Sequence, residues 1–476
     1  MSKTIFPETP KQADQILAAL AGLGEDDLRA DGKAFAFIYS AGEAANALAR
    51  RAFAQTMGGN GLDPTVYPSA RRLENDLVAV GLEHLRAPEG AVGTVTSGGT
   101  ESVMLSVKAA RDHARKTRPE LVNPKILVPE TAHASFHKAG HYLGIEVEIV
   151  DIDPVSMTAS VADMAARIDE RTILLVASAP SYAHGVIDPI AEIGALAEQH
   201  DLLFHVDACI GGWVLPFERE LGVDLPDFDF EVDGVTSMSV DLHKYGFTPK
   251  GCSLILHRRP ELREAQYYAC ATWSGYSIIN STIQGSKSLA PMGAAWAVMQ
   301  GLGRSGYRSL VATMWAATGD LVEGVSAIDG LRVLGKPAMG LVAITTDDGD
   351  LFTLADRLTA AGWHLQPTYA FGRSPAHIHF TIDPSNAGQV GAFLADLREQ
   401  ACDLPATTEP PAPVVAMLSA VAGGAAGVPI ETVMYELGIR DGKLPAEQAT
   451  IHRLLNAASP EVREQLLTQF MGGLFS

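Results

Sequence analysis

Cysteine is scarce in this chain of 476 residues. There are four, Cys209, Cys252, Cys270 and Cys402, and none stands at the short spacings that hold a structural metal. A disulfide framework is excluded as the organising device, and a reduced, cytoplasmic compartment is the simplest expectation. Aromatic residues are also few, at 7%. Positive charge is short: 36 Lys and Arg stand against 56 Asp and Glu, a formal net charge of −20. That balance argues against a nucleic-acid partner and against an anionic membrane surface. It does not exclude a small anionic ligand, which responds to the local field of a cleft. Long apolar runs are missing as well. The N-terminus, Met1-Ser-Lys-Thr-Ile-Phe-Pro, lacks a signal peptide's apolar core. The stretch from Ala416 to Pro429 is glycine-rich and too short to span a bilayer. No transmembrane segment is expected.

What is present is a hydrophobic content of 47%, enough for a large core and more than one domain. Residues 1–71 carry two amphipathic helical patterns, near 10–23 and 42–57, among Gly- and Pro-rich loops. From 72 to 310 apolar β-rich runs (125–128, 146–150, 172–177, 202–206, 235–239, 253–256) alternate with helical stretches such as 100–116 and 187–200. Strands alternating with helices predict a mostly parallel sheet covered on both faces. Residues 311–404 change to a compact α+β pattern, with strands at 331–334, 340–345 and 377–382 and helices at 352–361 and 386–400. Residues 405–413 read as a Pro-rich linker or wrapped segment, and the rest of 405–476 as a helical tail of unassigned role.

Four segments carry chemistry. Lys244 lies in Ser239-Val-Asp-Leu-His243-Lys244-Tyr-Gly-Phe-Thr-Pro-Lys250-Gly, after an apolar run. Such an amine can condense with an aldehyde once burial and neighbouring cations lower its pKa. The aldehyde suited to that task is pyridoxal 5'-phosphate, an electron sink. Thr96-Ser-Gly-Gly99-Thr100-Glu101-Ser102 opens a helix. Its glycines let backbone N–H groups approach an anion at the positive end of the dipole. Read alone, it is equally an ordinary tight turn with Thr100 as N-cap. Asp207, in His205-Val-Asp207-Ala-Cys209, closes a strand and could keep a ring nitrogen protonated. His133, in Glu130-Thr-Ala-His133-Ala-Ser-Phe, could lie flat on a heteroaromatic ring. Each signal alone also describes a surface lysine, a helix cap or a structural histidine.

Taken in order, these segments resemble the group II decarboxylase family of pyridoxal-phosphate enzymes, and within it the sphingosine-1-phosphate lyases. Ala179-Pro-Ser-Tyr182-Ala-His184-Gly-Val-Ile-Asp-Pro189 and Thr282-Ile-Gln-Gly285-Ser286-Lys287 are similar to further lyase segments. The resemblance implies the fold-type I architecture: a large domain with a mostly parallel seven-stranded sheet flanked by helices, and a small C-terminal α+β domain. It implies a homodimer with composite active sites. Lys244 would form the Schiff base, His133 would stack on the ring and Asp207 would bind its nitrogen. Gly99, Thr100 and His243, with Gly285 and Ser286 across the dimer, would hold the phosphate. Tyr182 would stand beside the substrate for proton transfer. Tyr39, Asn60, Asp63 and Lys250 would face the substrate, Tyr39 and Lys250 at its own phosphate.

The chain also departs from the family. Its Asn-Pro-Leu-His-Pro stretch stands here as Asn60-Gly-Leu-Asp63-Pro64. A carboxylate there repels a dianion unless it is protonated or paired with Lys250. Gly275-Tyr-Ser-Ile278 replaces Gly-Gly-Ile-Tyr, and Lys287 stands where arginine is usual, losing a bidentate fork. The expected function is a lyase that cleaves the C2–C3 bond of a 2-amino-3-hydroxy amine, such as a phosphorylated sphingoid base. The alternatives are an amino-acid α-decarboxylase on the same fold and a pyridoxal-phosphate-binding protein without catalysis.

Overall fold

A computed structural model describes residue 7, residues 9–410, 415, 416, 418, 439 and 445–475. The glycine-rich stretch 416–429 lies outside the described residues apart from 416 and 418. Among the described residues no helix is long and apolar enough to cross a membrane, and no cluster of three or more ligating side chains could hold a metal.

The centre of the chain is a seven-stranded sheet. Its strands are β1 (Val92–Thr96), β2 (Lys125–Pro129), β3 (Glu146–Val150), β4 (Thr172–Ser178), β5 (Leu203–Asp207), β6 (Ser237–Val240) and β7 (Ser253–His257). They lie in the order β1-β7-β6-β5-β4-β2-β3. β7 runs antiparallel to both its neighbours, and the other pairings are parallel. The expected mostly parallel sheet is therefore present. Every residue of β2, β4, β6 and β7 is buried, which is why these runs read as near-continuous apolar stretches rather than alternating ones.

A second, antiparallel sheet of four short strands (Leu331–Val333, Leu341–Thr346, Gln366–Thr368 and His377–Thr381) forms the small α+β unit. The helices Leu351–Ala360 and Val390–Gln400 accompany it. A long helix, Ala290–Ser326, leads into this unit and bends at Gly303, whose φ is +58°. Residue 310 lies inside that helix. The small sheet meets the loop that follows β4 at Gly185. Its φ is +69°, its C=O accepts the Ala338 N–H at 2.8 Å, and a Cβ there would stand 2.0 Å from the Leu341 carbonyl oxygen. Residues 405 and 406 wrap onto the small unit, where the Pro405 carbonyl accepts the Asp350 N–H.

One core residue breaks the apolar pattern. Glu218, in the short helix Leu215–Glu220, is 1% exposed, and its Oε2 has no hydrogen-bond partner among the described residues. Burial pushes its pKa well above the usual carboxylate range. A carboxyl with a raised folded-state pKa contributes stability that is present below its unfolded value and is lost as pH climbs through the folded value. Glu218→Met keeps the shape and removes the charge. It is expected to raise unfolding free energy at pH 8 by about 2 kcal/mol, with the gain shrinking toward pH 4 in denaturant melts. A difference independent of pH would assign the effect to packing instead.

Candidate active site

The turns that follow β1, β2, β4, β5 and β6 leave the carboxyl ends of parallel strands, where sheets of this kind open a crevice. They meet in a cleft of about 620 Å³, lined by Gly99, Thr100, His133, Tyr182, Asp207, His243 and Lys244, with Tyr39 and Lys250 at its side. Nine of the expected site residues, widely separated in sequence, thus share one space.

The glycine loop opens a helix, as its sequence suggests. The helix Gly99–Thr117 starts directly after Gly98, with no side-chain cap, so Thr100 lies inside the first turn and is not the N-cap. The first N–H groups of a helix have no partner within it, and here no side chain caps them among the described residues, which suits an anion. A Cβ on Gly99 would stand 2.8 Å from both oxygens of Asp241 and from Cys209 Sγ. Only glycine fits there. The Glu101 carboxylate ties this loop to another segment: Oε2 accepts the Ser97 N–H at 2.6 Å and Oε1 accepts the Ile283 N–H at 2.8 Å.

Asp207 ends β5. Its Oδ1 accepts the Cys209 N–H at 3.0 Å and the Ser239 hydroxyl at 3.1 Å. Burial alone would raise its pKa, but His133, the Cys209 bonds and Lys244 outweigh it and hold the carboxyl below its usual range. The group is ionised at neutral pH and suited to keep a pyridine nitrogen protonated. His133 precedes the helix Ser135–Leu143, and its Nδ1 accepts the Ser135 N–H at 3.2 Å. A neutral ring therefore carries its proton on Nε2.

Lys244 corrects an expectation. Neighbouring cations and burial were to lower its pKa. Burial does act in that direction, but Asp241 Oδ2 lies 2.9 Å from Nζ and holds the amine above an ordinary lysine. In the ligand-free chain Lys244 is a paired ammonium. Asp241 stands within the motif that drew attention to Lys244, yet a carboxylate three residues before a lysine reads in sequence as a routine surface pair. His243 Nδ1 accepts the Cys252 N–H at 3.3 Å, and burial lowers its pKa.

Tyr182 and Lys250 differ in proton affinity. The Tyr182 hydroxyl donates to Gln366 Oε1 at 2.6 Å, its ring lies on His379 at 4.2 Å between centroids, and burial raises its pKa. Lys250 is lowered by burial and by the Lys244 charge. Its Nζ donates to the His243 carbonyl at 3.1 Å and sits 4.8 Å from the Tyr39 ring centroid. Burial raises the Tyr39 hydroxyl strongly. At the mouth, Phe37 holds a φ of +65° in a three-residue turn closed by Ile38 N–H to Ala36 C=O at 2.9 Å. Such a conformation costs about 1–3 kcal/mol and clusters at functional sites.

Four expected residues lie elsewhere. Gly285 lines a separate recess of about 270 Å³ with Gly61, Leu62 and Pro64, and Ser286 follows it in the chain. Asn60 Oδ1 accepts the N–H groups of Leu62 and Lys287. Asp63 neither pairs with Lys250 nor is protonated. Its Oδ1 accepts the Thr65 hydroxyl at 2.6 Å and the Thr65 N–H at 2.9 Å, and these bonds hold its pKa down. Lys287 is buried, pairs with Glu74 at 3.4 Å and donates to the Val95 carbonyl, so its ammonium is occupied within the chain.

The donor set suits pyridoxal phosphate: an amine for the aldehyde, an ionised carboxylate for the ring nitrogen, an imidazole in the same cleft and a helix N-terminus whose first glycine leaves space for an anion. Comparison with known proteins agrees. Residues 5–346 match the pyridoxal-dependent decarboxylase conserved domain, and residues 412–473 match a putative helix-turn-helix domain of the C-terminus of pyridoxal-dependent enzymes. The chain is 39% identical over 383 residues to the sphingosine-1-phosphate lyase of Arabidopsis thaliana, covering 79% of this chain and 69% of the plant protein. It is 33% identical to a probable L-aspartate decarboxylase of Pyrococcus furiosus, over 69% of this chain and 86% of that one. The solved sphingosine-1-phosphate lyase of Burkholderia pseudomallei superposes with a TM-score of 0.79 at 33% identity, over 83% of this chain and 92% of that one.

Proposed function

The chain belongs to the pyridoxal-dependent decarboxylase family, and from that premise we propose that it is a carbon–carbon lyase acting on a 2-amino-3-hydroxy amine. Its substrate would be a phosphorylated sphingoid base, cleaved between C2 and C3 to an aldehyde and phosphoethanolamine. The observation that carries this reading is the meeting of Lys244, Asp207, His133 and the Gly99 loop in one cleft, on a chain 39% identical to a named lyase. Bound pyridoxal phosphate supplies an electron sink for the broken bond.

The chain's own groups do the rest. Lys244 would hold the cofactor through its aldehyde. Asp207 would keep the ring nitrogen protonated. Gly99, Thr100 and His243 would hold the phosphate. The C3 hydroxyl must lose its proton as the bond breaks. Lys250, whose pKa is lowered, suits that role better than Tyr182, whose raised pKa keeps its proton in place. Tyr182 then serves as a donor, oriented by Gln366.

A composite homodimer accounts for the residues outside the cleft. The helix Ala13–Leu23 buries none of its residues, and Ile16, Leu17, Leu20 and Leu23 are exposed along it. A short helix with an uncovered apolar stripe draws its stability from a packing partner. Trp273, Tyr276, Ile279 and Ile283 are exposed beside the loop of Gly285 and Ser286. In this reading Gly285 and Ser286 reach the partner's cofactor phosphate, and Asn60 and Asp63 the partner's substrate. The four free thiols suit the reducing cytoplasm.

An amino-acid α-decarboxylase is the second reading. It is favoured by the likeness to the archaeal decarboxylase and by the ionised Asp63, which would repel a substrate phosphate. The deciding assay incubates loaded protein with sphingosine 1-phosphate, unphosphorylated sphingosine and a set of aromatic and acidic amino acids, measuring aldehyde and carbon dioxide separately. Aldehyde from the sphingoid base is expected. Carbon dioxide from an amino acid at a comparable rate would overturn the lyase reading. Binding without either product would mark a non-catalytic protein.

A further inference from the structure

Asp241 stands against both Lys244 and His243. It follows β6, is 1% exposed, and its backbone N–H is fixed by the Cys209 carbonyl at 3.1 Å. A carboxylate buried this deeply is costly unless paired. Its Oδ2 lies 2.9 Å from Lys244 Nζ and 3.6 Å from His243 Nε2. Its Oδ1 has no hydrogen-bond partner among the described residues. Both oxygens stand directly beneath Gly99, the first residue of the phosphate-cradling helix. The Cys252 N–H occupies His243 Nδ1, so the ring's remaining proton, on Nε2, faces the same carboxylate. One buried charge therefore faces both the amine meant for the cofactor aldehyde and the imidazole meant for its phosphate.

We propose that Asp241 is a positioning residue that sets the protonation of the Lys244 nitrogen, holding it as an ammonium before cofactor capture and keeping the linked nitrogen protonated afterwards. Capture balances without an outside acid or base. The ammonium would first lend a proton to Asp241, since only the free amine carries the lone pair that attacks the aldehyde carbon, and that proton would return as one water departs: two of the three original protons leave on the aldehyde oxygen, and one stays on the nitrogen with its positive charge. That charge remains the counterpart of Asp241. The other titratable groups around the amine are Tyr39, Tyr182 and Cys209, with His243, Asp207 and Lys250 in the same cleft. The direct 2.9 Å contact with the amine belongs to Asp241. The inference rests on the pyridoxal-phosphate reading of the cleft only for its second half.

Two measurements test it. In the unloaded protein, the pH dependence of Lys244 acetylation, read by mass spectrometry on its peptide, is expected to place its midpoint above that of an ordinary lysine. In Asp241→Asn the midpoint should fall by about one pH unit or more, tenfold in proton affinity. In protein loaded with pyridoxal phosphate and free of substrate, the absorbance band of the linked cofactor is titrated with pH. Its midpoint is expected to fall by about one unit in Asp241→Asn and to be largely restored in Asp241→Glu. Borohydride trapping checks that each variant is loaded. Equal midpoints in parent and Asp241→Asn would overturn the proposal. So would an unloaded parent whose Lys244 titrates below ordinary lysine, a result that needs no variant to fold. If the parent takes up no pyridoxal phosphate, the cofactor reading fails, and the acetylation profile still decides what Asp241 does to the amine.

Discussion

Lys244→Ala is expected to abolish turnover, lowering kcat by at least about three orders of magnitude. Among the described residues the amine is the one lysine nitrogen paired with Asp241, and Lys250, which also lines the cleft, is engaged with the His243 carbonyl and the Tyr39 ring. The variant should still bind pyridoxal phosphate through Asp207, the Gly99 loop and His243, because none of those contacts is lost. It should not be labelled by borohydride at this position. Loss of the label with loss of turnover assigns the covalent role. Full activity in the variant removes Lys244 from the mechanism. Removing the ammonium also leaves Asp241 buried without its partner. A melting curve therefore belongs with the assay, so that inactivity is not confused with unfolding.

Asp207→Asn should come second in size, with kcat down by about two to three orders of magnitude and little change in covalent loading. Asparagine is nearly isosteric and can keep the bonds from the Cys209 N–H and the Ser239 hydroxyl. What it loses is the negative charge. Asp207 is held ionised against its own burial by His133, Cys209 and Lys244, and that charge is what would keep a pyridine nitrogen protonated. A neutral ring nitrogen accepts electrons from a breaking bond poorly. The loss should fall on kcat, with a smaller change in KM. A variant that loses only affinity would place Asp207 in binding alone. The two variants separate the amine's covalent role from the ring's electronic one.

Much of this architecture could be read along the chain. The strands Glu146–Val150 and Thr172–Ser178 stand where their β-branched and apolar runs predict. The glycines at 98 and 99 mark a close backbone approach, and Asp207 ends its strand as expected. These are local signals, set by period, composition and turn chemistry. What could not be read has a different origin. Of the two cases open for Asp63, repelling a phosphate or pairing with Lys250, the structure excludes the pair, because Thr65 holds the carboxylate ionised two residues away. Lys287 read as a weakened phosphate ligand, but Glu74 and Val95 claim its ammonium from distant parts of the chain. The two-residue neighbour is legible in the sequence. The partners 213 and 192 residues away could not have been seen there.

The sequence by itself determined the alternation of strands and helices, the glycine loop, the order of the chemical segments and hence the kind of enzyme. Those depend on backbone preferences and on the chemistry of residue types that stand in the sequence itself. Only the tertiary structure decided the protonation of those residues. It brought Asp241 within 2.9 Å of Lys244 and so reversed the direction in which that amine's pKa was expected to move. It lowered the proton affinity of Lys250 and raised that of Tyr182, two groups that the sequence leaves equally open as bases. The physical reason is that proton affinity depends on burial and on charges a few ångströms away. Those distances are set by packing between segments far apart in the chain.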